Sequence, residues 1–359
     1  MASILAACAA ALSLEGCTTG PAPGEAGGDS WSSKAESTVN SDLPPRAEIP
    51  LGDAFAVTVN QADLRGSALE ILHRAADSTN PLLRANAIQA FEYAPTLAPD
   101  ALRKALGDDN RAVRFVATMT VGEMKLIDLA PLVEPLLLDE SQSVHAAAIY
   151  ALRRCGRKPN MNPLASMIMG DDPEVRGNAA LVLGELADPS ALPLLRASLG
   201  RGMFKASTSR RRMVELQIAE AMVKLGDIEQ LEVIRAALFS RPEEGEVTAL
   251  ACQICGEIKD EGSLPNLLDM ATRTGRAKQS AEIRMAAATA VAQINRAQAV
   301  LAVPLGYVSA NRYELRAQAA ASLGATAQHV ALPYLASLMQ DSNPLVQVSA
   351  AAAVLQIEK

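Results

Sequence analysis

The chain has 359 residues, with 33 Lys and Arg against 40 Asp and Glu and a formal net charge of -7, which argues against the broad basic surface that nucleic-acid binding needs. Aromatic residues are only 3% of the chain and alanine is abundant, so the expected core is a set of thin layers between close helices, with no large aromatic clusters. No uncharged apolar run reaches the length of roughly 18 residues that a membrane-spanning helix requires.

The chain begins MASILAACAAALSLEGC, an apolar run from Ile4 to Leu14 that stops at Glu15-Gly16-Cys17. With Leu14 three positions before Cys17 and Thr18, Thr19 and Gly20 after it, this segment resembles a bacterial secretory signal ending in a lipobox. The resemblance implies that Cys17 becomes the lipid-modified first residue of the mature protein, on the periplasmic side of a bacterial cell envelope. Translation starting upstream would make Leu5-Ala6-Ala7-Cys8 a second lipobox, with Cys8 lipidated. The segment carries no lysine or arginine, so it also reads as an alanine-rich tail, and that reading leaves the protein in the cytoplasm. Residues 18–59 are dense in Gly, Pro and Ser and are expected to be a disordered tether. A helix is then expected from Asn60 to about Ala76, with Leu64, Ala68, Leu69 and Leu72 on one side, acting as the N-terminal cap of a solenoid over 60–359.

From Leu83 onward one unit recurs. An aliphatic anchor is followed four residues on by a small residue and eight on by a larger apolar one. The anchors are Leu83, Val113, Val144, Val175, Val214, Val247, Ile283, Leu315 and Val346. Their spacing is close to constant and widens after Val175 and again after Val247. The fourth position is alanine in every copy except Ile218, which requires close helix approach there. A period of about 31 with two short helices per unit predicts an all-α fold, an alpha-alpha superhelix of about nine repeats. Asp and Asn in the linking turns, as in Asp171-Asp172-Pro173 and Asp341-Ser342-Asn343-Pro344, are expected to cap the first helix of each unit. The residue after the anchor is arginine at Arg84, Arg114, Arg176, Arg284 and Arg316. These are expected to pair with the acidic turn of the next unit, the alternative being a row that binds an acidic segment of a partner.

The regular spacing fails between the fourth and fifth units, where Gly200 to Arg212 adds residues and positive charge through Arg201, Lys205, Arg210, Arg211 and Arg212. A second basic insertion, Thr272 to Ser280, carries Arg273, Arg276 and Lys278. Insertions in a solenoid emerge on one edge, so Arg201, Lys205, Arg210, Arg211, Arg212, Arg273 and Arg276 are the candidate binding surface. The other reading is a pair of solvated loops. No catalytic, cofactor-binding or metal site is expected. The three histidines, His73, His145 and His329, stand in different units, and the single C-x-x-C pair, Cys252 and Cys255, lies inside a helix, where packed thiols are expected.

The succession of aliphatic residue, Arg, Ala-Ala, Leu-Gly and Asp-Pro before an LPxL helix, clearest over Val175 to Leu195, resembles the HEAT repeat, in particular the short bacterial type similar to phycobilisome-lyase repeats. The resemblance covers about residues 80–359 and implies a protein-binding scaffold. Two functions follow as expectations. The first is a non-enzymatic scaffold for a protein partner, one with an acidic segment, tied to an envelope membrane by its lipid anchor and binding along its concave face or basic edge. The second is an accessory subunit of a lyase-like or other enzyme complex that carries a chromophore or small ligand.

Overall fold

The computed structural model describes residues 61–204, 206–295 and 300–359; Cys8, Cys17, the 18–59 tether and Lys205 lie outside the described residues. All regular structure among them is helical. Helix α1 (Gln61–Ala76) is followed by α2 (Pro81–Ala90) and α3 (Ala98–Ala105), α4 (Arg111–Met124) and α5 (Ala130–Val133), α6 (Gln142–Arg154) and α7 (Asn162–Ile168), and α8 (Pro173–Glu185) and α9 (Leu192–Ser198). Then come α10 (Thr208–Lys224) and α11 (Leu231–Ala237), α12 (Gly245–Glu257) and α13 (Leu264–Thr272), α14 (Ala281–Asn295) and α15 (Ala302–Leu305), α16 (Tyr313–Thr326) and α17 (Leu332–Leu338), and α18 (Pro344–Ile357). The even-numbered helices carry the anchors.

Their starts follow the expected chemistry. Asn80, Asn110, Asp172 and Asn343 each accept a hydrogen bond from a backbone N–H in the first turn of the helix they open. Proline occupies the first turn at Pro81, Pro173 and Pro344, where a missing N–H costs nothing. The alanines four after each anchor, from Ala87 to Ala350, are all 0% exposed, as the close layers require.

Each even helix packs on the next from α2 to α18, and α18 packs in turn on α1 and α2. The solenoid therefore closes into a ring of nine sectors. One core runs through the seam and includes Leu64, Leu72 and Phe91 from one end of the chain with Val346, Val354 and Ile357 from the other. This differs from the expectation of an open stack with a cap at its N-terminal end. α18 needs a second helix to cover its outer face, and α1 takes that place, burying Leu64, Ala68, Ile71, Leu72 and Ala75. The helix expected to shield the first repeat does pack on α2, and it completes the ninth as well.

The ring alternates between tight and wider junctions. Nine residues after the anchor stand Gly122, Gly184, Gly256 and Gly324, in the second, fourth, sixth and eighth repeats only. A Cβ added there would lie 2.8 Å from Ala151 Cα, 3.0 Å from Ala221 Cα, 2.8 Å from Ala290 Cα and 2.9 Å from Ala353 Cα, respectively. Glycine lets the following even helix press against the backbone at these four junctions. The same four repeats end their even helices on a non-glycine residue in the left-handed conformation, at Lys125, Ala187, Lys259 and Ala327, with φ of 51°, 54°, 54° and 52°.

Candidate functional site in the ring lumen

The even helices run in a common direction, so the ring has a start rim, where they begin, and an end rim, where they finish. Near the end rim they enclose a central cavity of about 980 Å³. Its wall includes Tyr93 of the first sector and residues of every sector from the fourth to the ninth, including Glu185, Lys224, Glu257, Gln293, Ala325 and Gln356. These six stand ten residues after their anchors, as does Tyr93, and that register defines a belt of one side chain per repeat around the lumen.

The belt is uneven. From the second to the sixth sector it reads Glu123, Arg154, Glu185, Lys224, Glu257, an alternation of charge; through the remaining sectors it reads Gln293, Ala325, Gln356 and Tyr93. Alternation lets neighbours neutralise one another. Lys224 Nζ lies 2.7 Å from Glu185, 2.6 Å from Glu220 and 4.0 Å from Glu257, bridging three successive even helices. The Lys224 ammonium is half-buried, yet these three carboxylates hold it firmly protonated, well above the usual lysine range. Arg154 lies over the Tyr150 ring at 6.0 Å and Lys359 over the Tyr93 ring at 5.5 Å, placements in which a cation meets the negative face of an aromatic ring.

The first two sectors differ. Glu92 is 7% exposed, and among the described residues its Oε1 has no hydrogen-bond partner. Burial pushes its carboxyl up, opposed by the Tyr93 hydroxyl and the Lys359 ammonium. Glu123 is pushed up to about 8, first by burial and then by the Glu92 carboxylate beside it. Tyr150, whose ring packs on Gly122, has its hydroxyl raised by burial and by Glu123 and Glu185.

The start rim holds the residues singled out in the sequence. Arg84, Arg114 and Arg316 each fork onto an aspartate of the next turn: Asp108 at 2.8 and 2.6 Å, Asp139 at 2.8 and 3.0 Å, and Asp341 at 2.7 and 2.9 Å. Each also donates to two backbone carbonyls before its own helix, so the ladder is a set of structural staples. Arg176 has no such aspartate, because the insertion displaces the turn, and it donates to the Gly170 and Arg201 carbonyls instead. His145 replaces arginine in the third repeat and borders an open cavity of about 420 Å³.

Both insertions lie on this start rim, each leading into an even helix. Arg210 turns inward, half-buried, toward Glu174, Asp172 and Glu246, and burial lowers its guanidinium from the usual range. Arg212 pairs with Glu244 and donates to Ser240 Oγ, and Arg273 pairs with Asp269 at 2.6 Å. Arg211, half-buried, donates to Thr208 Oγ1. Arg201 and Arg276 face solvent, as does the Phe204 ring at 90% exposure. Among the described residues no hydrogen bond or ion pair joins the two insertions, so they form separate patches on one rim. Cys252 and Cys255 are buried free thiols; burial raises both, Cys255 to about 11, and Cys255 Sγ rests 3.5 Å from Ser263 Oγ. Among the described residues no group of three His, Cys, Asp or Glu is arranged to hold a metal ion, and no helix is long and apolar enough to cross a membrane.

A family model for HEAT repeats matches residues 68–153 and 129–203. No curated protein matches the chain. Among solved structures, human deoxyhypusine hydroxylase in complex with glycerol is 17% identical over 83% of this chain and 98% of its own, with a TM-score of 0.36. The CpcE–CpcF complex of phycocyanin lyase from Nostoc sp. PCC7120 is 18% identical over 72% of this chain and 95% of the matched one, with a TM-score of 0.37. A mutant of Kap121p is 11% identical over 81% of this chain and 41% of its own, with a TM-score of 0.34.

Proposed function

We propose that this protein is a non-enzymatic HEAT-repeat scaffold that binds a protein partner through its start rim, and that a lipid on Cys17, or on Cys8, holds it at a bacterial envelope membrane. The observation that carries the reading is the closed ring. Closure turns the concave face into a lumen of about 980 Å³, too small for a folded domain, so a folded partner must use a rim. On the start rim Arg201 and Arg276 are exposed, Arg211 is partly so, and Phe204 stands out close to Arg201. That combination suits an acidic segment with an apolar anchor. Reversing all three arginines to glutamate should release the partners that the wild-type ring captures from an envelope fraction, measured by quantitative mass spectrometry. Retention of the same partners by the reversed ring would contradict the reading. The anchor has its own measurement, the mass of the mature N-terminus: a diacylglyceryl-modified Cys17 or Cys8 is expected, and an intact Met1 without lipid would place the protein elsewhere.

The lumen favours a second reading, an accessory subunit that carries a chromophore or small ligand. A cavity of about 980 Å³ falls in the range of small-molecule sites. Native mass spectrometry and an absorbance spectrum of the purified protein test it through an added mass or a visible band.

A further inference from the structure

The outer edge of the end rim carries charge that neither the staples nor the lumen uses. Helix α6 finishes in Arg153 and Arg154, and Arg157 and Lys158 follow at once. A cation at a helix end offsets the dipole there, and over this register the other repeats have at most one lysine or arginine, as at Lys125, Lys224 and Lys259. The cluster in the third sector exceeds that structural need. The end of α4 stands beside it. A Cβ on Gly122 would lie 2.8 Å from Ala151 Cα, and Lys125 and Arg154 each come three residues later on those two helices.

Lys125, Arg153, Arg157 and Lys158 are all exposed. Among the described residues none of the four makes a side-chain hydrogen bond or an ion pair within 4.0 Å. Aliphatic side chains stand next to them. Leu97 and Ile127, each fourteen residues after its anchor, protrude where an odd helix begins, Ile127 at 61% exposure. Lys158 holds that register in the third sector. The first three sectors thus present an arc of turn tips, aliphatic at one end and basic at the other, with Asp100 and Asp128 as exposed acids within it. Asp188 borders the arc, close enough to Arg153 to feel its charge, and Glu229 and Glu261 face solvent in the sectors beyond, so the basic surface is local.

The segment before the ring arrives on this same side. Arg65, in the first turn of α1, lies within electrostatic reach of Glu358 beyond the end of α18. Asp77, past the last turn of α1, pairs with Lys104 at the start-rim end of α3. Residues 1–60 therefore join the ring at the end rim, at the seam next to the first sector. A lipid on Cys17 or Cys8 would hold that side at a higher local concentration near the bilayer than the start rim.

We propose that the end-rim arc of Leu97, Lys125, Ile127, Arg153, Arg157 and Lys158 docks on an anionic phospholipid surface, its cations on lipid phosphates and its two aliphatic side chains among the headgroups. The orientation rests on the envelope-anchor reading and leaves the start rim facing away from the bilayer, toward its partner. Protruding apolar points between cations suit a deformable headgroup layer, whereas a folded partner meets them only with matching pockets.

The test is cosedimentation of the whole chain, carrying Cys8→Ser and Cys17→Ser so that no lipid contributes, with vesicles of equimolar phosphatidylglycerol and phosphatidylcholine or of phosphatidylcholine alone. Tighter binding to the anionic vesicles, weakening as salt is raised, is expected. Each cation near an anionic surface contributes about fivefold, so Arg153→Glu, Arg157→Glu and Lys158→Glu together should weaken binding about a hundredfold or more. Thermal melting confirms that these exposed reversals leave the ring folded. Ile127→Ser should weaken binding at high salt as well as low, and Arg201→Glu with Arg276→Glu should leave it unchanged. Equal affinity for the two vesicles overturns the docking. So does an end-rim reversal without effect, or loss of binding on reversing the start rim instead. Polyglutamate that binds as tightly as the anionic vesicles, with Ile127→Ser neutral, would assign the arc to an acidic protein segment. The lipid itself is read separately, from the mass of the mature N-terminus: an unmodified chain that still prefers anionic vesicles removes the anchor and keeps the docking surface.

Discussion

The two rims of the ring are opposite ends of the same nine even helices, and they treat charge differently. At the start rim nearly every buried cation meets a matched acceptor: Arg84, Arg114 and Arg316 fork onto aspartates, and Arg176 is satisfied by carbonyls. At the end rim the belt changes chemistry from sector to sector, neutralises itself around Lys224, and leaves Glu92 and Glu123 crowded together. The difference separates two duties. A residue that recurs with its partner in successive repeats holds the units together, whereas residues that share a register without sharing a chemistry are free to specialise.

Four measurements bear on this contrast. The largest effect is expected from Arg114→Ala, which strands the nearly buried Asp139 without its partner and should cost about 3–5 kcal/mol in denaturant unfolding. A loss below about 1 kcal/mol would mean that the start-rim ladder is not structural. Next, Gly256→Ala puts a methyl 2.8 Å from Ala290 Cα and should cost about 1–3 kcal/mol. An equal effect of Ala292→Gly, at the same register of a wider junction, would contradict the alternation of junctions.

The third is a pH effect. Glu123 in the folded ring titrates at about 8, against an ordinary value of 4.5, so the folded state binds the extra proton between those limits. The stability it contributes is present at low pH and is lost as pH rises from about 4.5 through 8. Glu123→Gln should therefore melt higher than wild type at pH 9, by about 1 kcal/mol or more, and should show no gain near pH 4. A melting difference that does not change with pH would remove the strain assigned to this pair. The smallest effect is expected for Arg273→Ala. Its pair with Asp269 is half-exposed, and such pairs contribute no more than about 0.5 kcal/mol.

Most of the wall of the ring can be read from the sequence. The alanines at the fourth position, the Asn and Asp caps and the arginines that follow five of the anchors depend on contacts within one repeat or with the next, so a single copy that has them carries their signal. Closure depends on something no single repeat contains: small rotations that accumulate over nine units until α18 meets α1. The lumen is hidden for the same reason. Glu123, Arg154, Glu185, Lys224 and Glu257 share a register that counting ten from each anchor would have found. Because they differ in charge they do not look like a repeat, and only the ring brings Tyr93 of the first sector and Gln356 of the ninth to one cavity. The basic insertions were legible as departures from the period. Their charge alone did not reveal that Arg210 and Arg212 turn to Glu174 and Glu244 while Arg201 and Arg276 do not.

The seam between α1 and α18 has a consequence for how the protein comes apart. In an open array of repeats the terminal units have one neighbour each, so they melt first and the loss moves inward. Here every unit has two neighbours, and opening the ring anywhere breaks a junction without freeing a unit. A second break is needed before any repeat can leave. Amide exchange should therefore be nearly level around the circle, with α1 protected as well as α10, and unfolding should be a single concerted event in a chain of a length that ordinarily unravels in stages.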